Sequence, residues 1–264
     1  MKKIVLAVLA ILSAALPSNA QKLLIDNSGE SLPAIYGARI ERTLAKEAEF
    51  YKPLGLPDTL TIHLKVFRDH DSANAFLRRY APAAYGKYCS GMFIPKIETA
   101  VLSTNGNMDS AVKTLFHETS HFFYSKAMRS SPLSATNTAN SLNEGLAAYF
   151  EYMIVRKDGT TVQRPDILYI RSVKTLIELD ELDLTEYLRM THAQFIDKSR
   201  HDGNISYFVS YVIVNRLFDK LGMDGMRNLL SSIRSGTSYE KAVEDLYPGG
   251  TQALEEDIRS FVQR

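Results

Sequence analysis

Several features that would point to particular classes of protein are missing from the chain. Cys89 is the only cysteine, so no disulfide can form within the chain. The 31 Lys and Arg residues nearly balance the 30 Asp and Glu residues, and no basic block occurs, which makes nucleic acid a poor candidate partner. No internal repeat is visible, and after residue 20 no apolar run is long enough to span a membrane. The sequence therefore indicates a globular protein that has no internal disulfide and no basic surface for binding nucleic acid.

The first twenty residues have the layout of a secretory signal peptide. Two lysines precede an apolar run over residues 4–16, and small residues follow up to Ala20. A run of thirteen residues is too short for a comfortable membrane span, which favours cleavage after Ala20 over a membrane anchor. Cleavage would leave residues 21–264 with a formal net charge of −1 and enough chain for a sizeable core. We therefore expect an exported protein, periplasmic or secreted, with no membrane anchor after cleavage.

The sequence His117-Glu118-Thr119-Ser120-His121 has the form H-E-x-x-H. On a helix, two histidines four residues apart project from one face, and their imidazoles can bind one zinc ion. Glu118 lies between them, where its carboxylate can reach a water molecule in an open coordination position. The motif therefore predicts a metal site with His117 and His121 as ligands.

The residues around this motif have the pattern of an amphipathic helix. At about 100° per residue, the two histidines and Glu118 fall on one side of the helix. The opposite arc is mostly apolar and consists of Ala111, Val112, Leu115, Phe116, Thr119, Phe122 and Phe123. A chance match would more often place its histidines among the apolar side chains, so this setting favours a metal site over an accident. Asp109 or Ser110 is the expected N-cap of the helix.

A catalytic zinc site of this type needs a third protein ligand. The metzincin pattern is excluded, because Tyr124 and Ala127 occupy the positions where it has glycine and a third histidine. A glutamate on a following helix is the remaining common choice, and Glu144 lies twenty-three residues after the second histidine. Its alternative role is structural, because Ser141 and Glu144 have the spacing of a capping box. Glu151, two turns further on, is the reserve candidate.

The choice between these roles of Glu144 depends on where its helix begins. A start at Asn137 or Thr138 makes Glu144 available to the ion, whereas a capping box at Ser141 would engage it with the backbone. We favour the ligand, because two histidines alone would leave the usual His₂Glu set incomplete. The small residues Gly145, Ala147 and Ala148 are expected to let this helix approach the metal helix closely.

The remaining patterns predict an α+β protein. A helix is expected from about residue 33 to residue 51, and strict alternation over residues 61–67 predicts a half-buried strand. Short strands at 91–94 and 99–103 precede the metal helix. The second of these strands either lies at a sheet edge, where an extended peptide could add to it, or pairs inside the sheet. Further helices are expected at 167–179, about 183–195, 204–221, 226–233, 239–247 and 254–262.

The two metal-site segments resemble those of the gluzincin metallopeptidases, and within them the bacterial peptidase MA-like families. The resemblance rests on the H-E-x-x-H motif and on the segment from Leu142 to Glu151, LNEGLAAYFE, and it continues more weakly to the last helices. It implies a two-lobed zincin-like fold. A small mixed sheet and the active-site helix would form an N-terminal lobe of about residues 21–128, and a mostly helical lobe would follow at about 129–264.

The resemblance also implies a role for individual residues. His117, His121 and Glu144 would be the ligands of one zinc ion, and Glu118 would be the catalytic base in the hydrolysis of a peptide or protein substrate. Tyr207 lies near the position where related families have a tyrosine that donates a hydrogen bond to the developing oxyanion. A tyrosine on an amphipathic helix is otherwise usually a core residue, so both roles stay open.

Alternatives to an active peptidase follow from the same motif. The chain could be a secreted zinc-binding protein that cleaves nothing and binds a partner through the same groove, although binding alone would not need Glu118. The motif could also be a surface accident in a purely structural module. Within the enzyme class, an aminopeptidase would need an acidic cluster for the substrate amine, and none is identified, so endopeptidase action is the default. No pattern indicates an oligomeric state.

Overall fold

The computed structural model describes residues 22–80, 90–129 and 139–263. The predicted signal peptide, Cys89, and the alternative helix starts at Asn137 and Thr138 lie outside the described residues. None of the helices in the described part of the chain is both long and apolar enough to cross a membrane.

The chain divides into two compact units. One extends to Lys126 and includes Ile154–Val162, and the other comprises Ala127–Met153 and Gln163–Arg264. The first contains a mixed sheet and the second is mostly helical, so the α+β class predicted from the sequence is confirmed.

A four-stranded mixed sheet is the base of the first unit. Its strands are β1 (Lys22–Asn27), β2 (Thr59–Phe67), β3 (Gly91–Ile94) and β4 (Thr99–Ser103), in the spatial order β1-β2-β4-β3. β1, β2 and β4 are parallel, and β3 runs antiparallel to β4. β4 therefore lies inside the sheet, and the alternative that placed it at an edge is wrong, because β3 folds back and covers it. β1 and β3 are the two edge strands of this sheet among the described residues.

Three helices accompany this sheet: α1 (Gly37–Tyr51), α2 (His70–Tyr80) and α3 (Met108–Ala127). The predicted apolar arc of α3 is confirmed, because all seven of its residues are buried. The expected N-cap is wrong by two to three residues. The amide of Ser110 donates to Asn107 Oδ1 at 3.0 Å, so Asn107 caps α3 rather than Asp109 or Ser110.

The second unit is built from α4 (Asn140–Glu151), α5 (Ile167–Glu178), α6 (Leu184–Arg189), α7 (His192–His201), α8 (Ile205–Arg234), α9 (Tyr239–Leu246) and α10 (Gly250–Val262). The single helix predicted at about 183–195 is wrong, because two helices share this range. α6 ends at Arg189, and Thr191 caps the start of α7 through a reciprocal capping box with Gln194. α8 is kinked at Gly222, where a helix end was predicted and where φ is +65°. A two-stranded sheet of β5 (Met153–Val155) and β6 (Thr161–Gln163) was not predicted.

Candidate metal centre

α3 presents the two histidines of the motif side by side. The rings of His117 and His121 lie edge to face with centroids 4.9 Å apart, and both side chains are half-buried. Glu118, on the adjoining face, is 6% exposed. The helix has this orientation because its opposite arc packs into the core, as the apolar pattern predicted.

The edge strand β3 lies beside the Glu118 carboxylate. A β-carbon added to Gly91 would lie 3.2 Å from Glu118 Oε1 and would collide with the methyl group of Thr114. Gly91 therefore allows Glu118 to lie against the main chain of β3. Sequence reasoning did not single out Gly91, although an isolated glycine in a strand often marks a place where another group lies close to the backbone of the strand.

Glu144 lies in the second turn of α4, past the helix start. The N-cap of α4 is Ala139, which makes no side-chain capping bond, and the hydroxyl of Ser141 donates to the carbonyl oxygen of Tyr187 at 2.6 Å. The capping-box alternative is therefore wrong, because the Ser141 hydroxyl bonds to α6 instead of the first turn of its own helix. The side chain of Glu144 is 9% exposed.

Contacts within the second unit fix the position of α4. The Nδ1–H of His192, at the start of α7, donates to Asn140 Oδ1 at 2.9 Å. Gly145 packs so closely against α8 that an added β-carbon would overlap the carbonyl of Ser210 and the side chain of Val214. For Gly145, the expected close approach to the metal helix is wrong, because this residue faces α8.

His117, His121 and Glu144 each offer one ligand atom, and these atoms lie within 4.8 Å of one another. Within the described ranges, no other group of three or more His, Cys, Asp or Glu residues meets this condition, and Glu151 is not part of it. Two imidazole nitrogens and one carboxylate oxygen form a donor set that suits a transition metal such as zinc. The residues present thus fit a catalytic metal ion.

Tyr207 lies in the first turn of α8 in the second unit. It is half-buried, and its ring packs edge-on against Phe195 with centroids 5.0 Å apart. This contact fixes the ring and leaves the role of the hydroxyl a prediction.

Two polar residues of α1 lie behind the motif, and sequence reasoning missed both. The carboxyl of Glu47 is fully buried, with Oε2 2.8 Å from Thr119 Oγ1. Burial raises the pKa of Glu47 well above its usual range, and the opposing effects of Thr119 and His117 are smaller. The hydroxyl of Tyr51, one turn further along α1, lies 3.4 Å from Ser120 Oγ. The only signal in the sequence was the pair of polar residues, Thr119 and Ser120, inside the motif.

A mixed α+β fold with an H-E-x-x-H helix and a His/His/Glu donor group is characteristic of zincin-like metallopeptidases with a glutamate ligand. The family model of the Peptidase MA superfamily matches residues 86–264, more than half of the chain, and the chain therefore belongs to this superfamily. At the level of the superfamily it is a metallopeptidase, which confirms the resemblance seen in the two metal-site segments. No sequence among the curated proteins matches the chain. Residues 22–85, which contain β1, α1, β2 and α2, precede the matched region.

Proposed function

We propose that the protein is an exported zinc-dependent peptidase in which His117, His121 and Glu144 hold one zinc ion. The observation that carries this proposal is the convergence of the three ligand atoms within 4.8 Å. Zinc is preferred because two imidazoles and one carboxylate suit it, whereas calcium and magnesium favour oxygen ligands. Three protein ligands also leave one coordination position open.

Glu118 is proposed as the general base. A zinc ion bound in such a site supplies Lewis-acid chemistry, polarising the substrate carbonyl and lowering the pKa of water. Glu118 accepts the proton of the attacking water and passes it to the leaving amine. Its position supports this role, because it lies on α3 next to the first histidine and against β3.

The substrate is proposed to bind as an extended strand along β3. The amide of Ser103 donates to the carbonyl oxygen of Ser90 at 3.0 Å, and this bond sets the pairing of β3 with β4. In that register the backbone groups of Phe93 point away from β4. A peptide added at this side would pass Gly91 and therefore Glu118. Strand addition needs no substrate terminus, which favours an endopeptidase.

The decisive experiment combines metal analysis with digestion of a peptide library. The Glu118→Gln variant should keep about one zinc per chain and lose cleavage by about 10² to 10⁴-fold, because only the proton acceptor is removed. Glu41→Gln, an exposed substitution on α1, is the matched control and should cleave like wild type. Undiminished cleavage by Glu118→Gln would refute the assigned base. A wild-type protein that holds zinc and cleaves nothing would support the secreted binding protein instead.

Tyr207 is proposed to donate a hydrogen bond to the oxyanion in the transition state. Tyr207→Phe keeps the ring packed on Phe195 and removes only the hydroxyl. A preorganised donor of this kind is worth about 10² to 10³ in kcat, so we expect a loss of that size with unchanged zinc content. A wild-type kcat in this variant would assign the tyrosine to the core.

Export is proposed from the layout of residues 1–20 alone. Expression of the full chain in a bacterial host should yield a product outside the cytoplasm whose N-terminal residue is Gln21. A product that keeps Met1 and stays in the cytoplasm would contradict export without affecting the metal site.

A further inference from the structure

The two residues between the metal-binding histidines face α1. Thr119 and Ser120 are completely buried on the back of α3. Thr119 lies 2.8 Å from Glu47 and Ser120 lies 3.4 Å from Tyr51. Glu47 and Tyr51 are one turn apart, so both contacts come from one face of α1. The metal-binding turn is therefore held from behind by polar side chains inside an apolar core.

The contacts of Thr119 accommodate a neutral Glu47. Thr119 Oγ1 lies 2.8 Å from Glu47 Oε2, 2.9 Å from the Leu115 carbonyl and 3.1 Å from the Phe116 carbonyl. A hydroxyl has one proton, so Thr119 donates one full-strength hydrogen bond, either to Glu47 or to a helix carbonyl. If Glu47 is protonated, it donates to Thr119, and Thr119 donates to Leu115. Burial acts in the same direction, since it raises the pKa of Glu47.

Another buried polar residue of α1 offers a comparison. Thr43, one turn before Glu47, is equally buried, and its hydroxyl has no hydrogen-bond partner among the described residues. Burial on α1 alone therefore does not link a side chain to the motif. The link is specific to the turn that contains Glu47 and Tyr51.

We propose that Glu47 is a positioning residue for the metal centre: by bonding to Thr119 it fixes the turn of α3 that presents His117 and His121, and it thereby raises the affinity for the metal. This inference rests on the metal site proposed above. α1 precedes the region matched by the family model, so the contact adds a support that the matched region does not contain. Residues that orient metal ligands from behind typically change metal affinity by about 10 to 100-fold when they are replaced.

The test is zinc affinity of the full chain, measured by competition with a chromophoric chelator. Glu47→Leu removes the hydrogen bond and should lower zinc affinity at least about tenfold. Glu47→Gln should stay within about threefold of wild type, because its amide can donate to Thr119 as the neutral acid does. Thr43→Val is the matched control and should bind zinc like wild type. The absorption spectrum of bound Co²⁺ should change in Glu47→Leu and in neither of the other two, since it reports ligand geometry.

A second pair of variants tests the other side of the contact. Thr119→Val should lower zinc affinity as Glu47→Leu does, and Thr119→Ser should restore it, so the inference stays testable if Glu47→Leu does not fold. Wild-type affinity in folded Glu47→Leu or in Thr119→Val would overturn it. An equal loss in Glu47→Gln and Glu47→Leu would overturn it too, because the negative charge would then be what matters. Wild-type protein that binds no zinc would instead refute the proposed function.

Discussion

The two helices that carry the candidate ligands are held by different kinds of contact. α3 is bonded from behind through side chains, with the carboxyl of Glu47 against the hydroxyl of Thr119. α4 is held by the close packing of Gly145 on α8 and by polar bonds of its first turn, from Ser141 to the Tyr187 carbonyl and from His192 to Asn140. Behind the motif, α3 therefore meets one buried acid, whereas α4 can lie close to α8 because residue 145 has no side chain.

The largest effect is expected from the ligand on α4. Glu144→Ala should weaken zinc binding by more than about a hundredfold, because only the two histidines of α3 would remain. Glu151→Ala, on the same helix and outside the ligand group, should keep its zinc. The measurement is zinc content after dialysis against a weak chelator. If Glu144→Ala kept its zinc and Glu151→Ala lost it, Glu151 would be the ligand and the assignment of Glu144 would be wrong.

The next effect concerns the packing of α4 against α8. Gly145→Ala should lower the free energy of unfolding by about 1–3 kcal/mol, because the new methyl group would overlap the Ser210 carbonyl. Gly37→Ala is the matched control, since no atom lies within 4 Å of the added carbon, and it should stabilise by about 0.5 kcal/mol or change nothing. Denaturant unfolding of both variants measures the difference. Equal stability of Gly145→Ala and wild type would show that shape is not what fixes α4.

The last effect is a pH dependence of stability that comes from Glu47, the residue of α1 that contacts Thr119 of α3. The pKa of Glu47 is raised in the folded state, so the folded protein keeps a proton that the unfolded chain releases above its usual pKa of about 4.5. Relative to Glu47→Gln, wild type should therefore lose stability as pH rises above about 4.5. The measurement is the difference in free energy of unfolding between the two proteins in chelator, from pH 4 upward. His117 and Tyr51, which also interact with Glu47, are present in both proteins. A difference that does not change with pH would mean that Glu47 is ionised in the fold.

Local patterns predicted much of this structure, because they record which face of an element is buried. The apolar arc of α3 and the alternation of β2 both follow from the spacing of apolar residues along a single element. Glu118 and the two histidines could be placed on one face for the same reason. Glu144 could be predicted as the third ligand because a catalytic zinc site needs one more protein ligand and a helical segment with a glutamate follows the motif.

The parts that were missed depend on contacts between distant residues. The order of the strands places β3 at the edge and β4 inside, and no short pattern distinguishes these two arrangements. Glu47 and Thr119 are 72 residues apart, and a glutamate on an amphipathic helix is ordinarily expected at the surface. The start of α4 at Asn140 depends on bonds to α6 and α7 rather than on its own capping residues. Tertiary contacts decided each of these points.

The strand order has a practical consequence for shortened forms of the protein. β2 is the parallel neighbour of β4, and it lies before residue 86, where the family match begins. A fragment limited to residues 86–264 would expose one side of the largely buried β4 as a bare hydrogen-bonding edge, and such edges recruit other chains. The smallest soluble fragment should therefore include β1, α1 and β2. The region matched by the family model is thus shorter than the segment we expect to fold on its own.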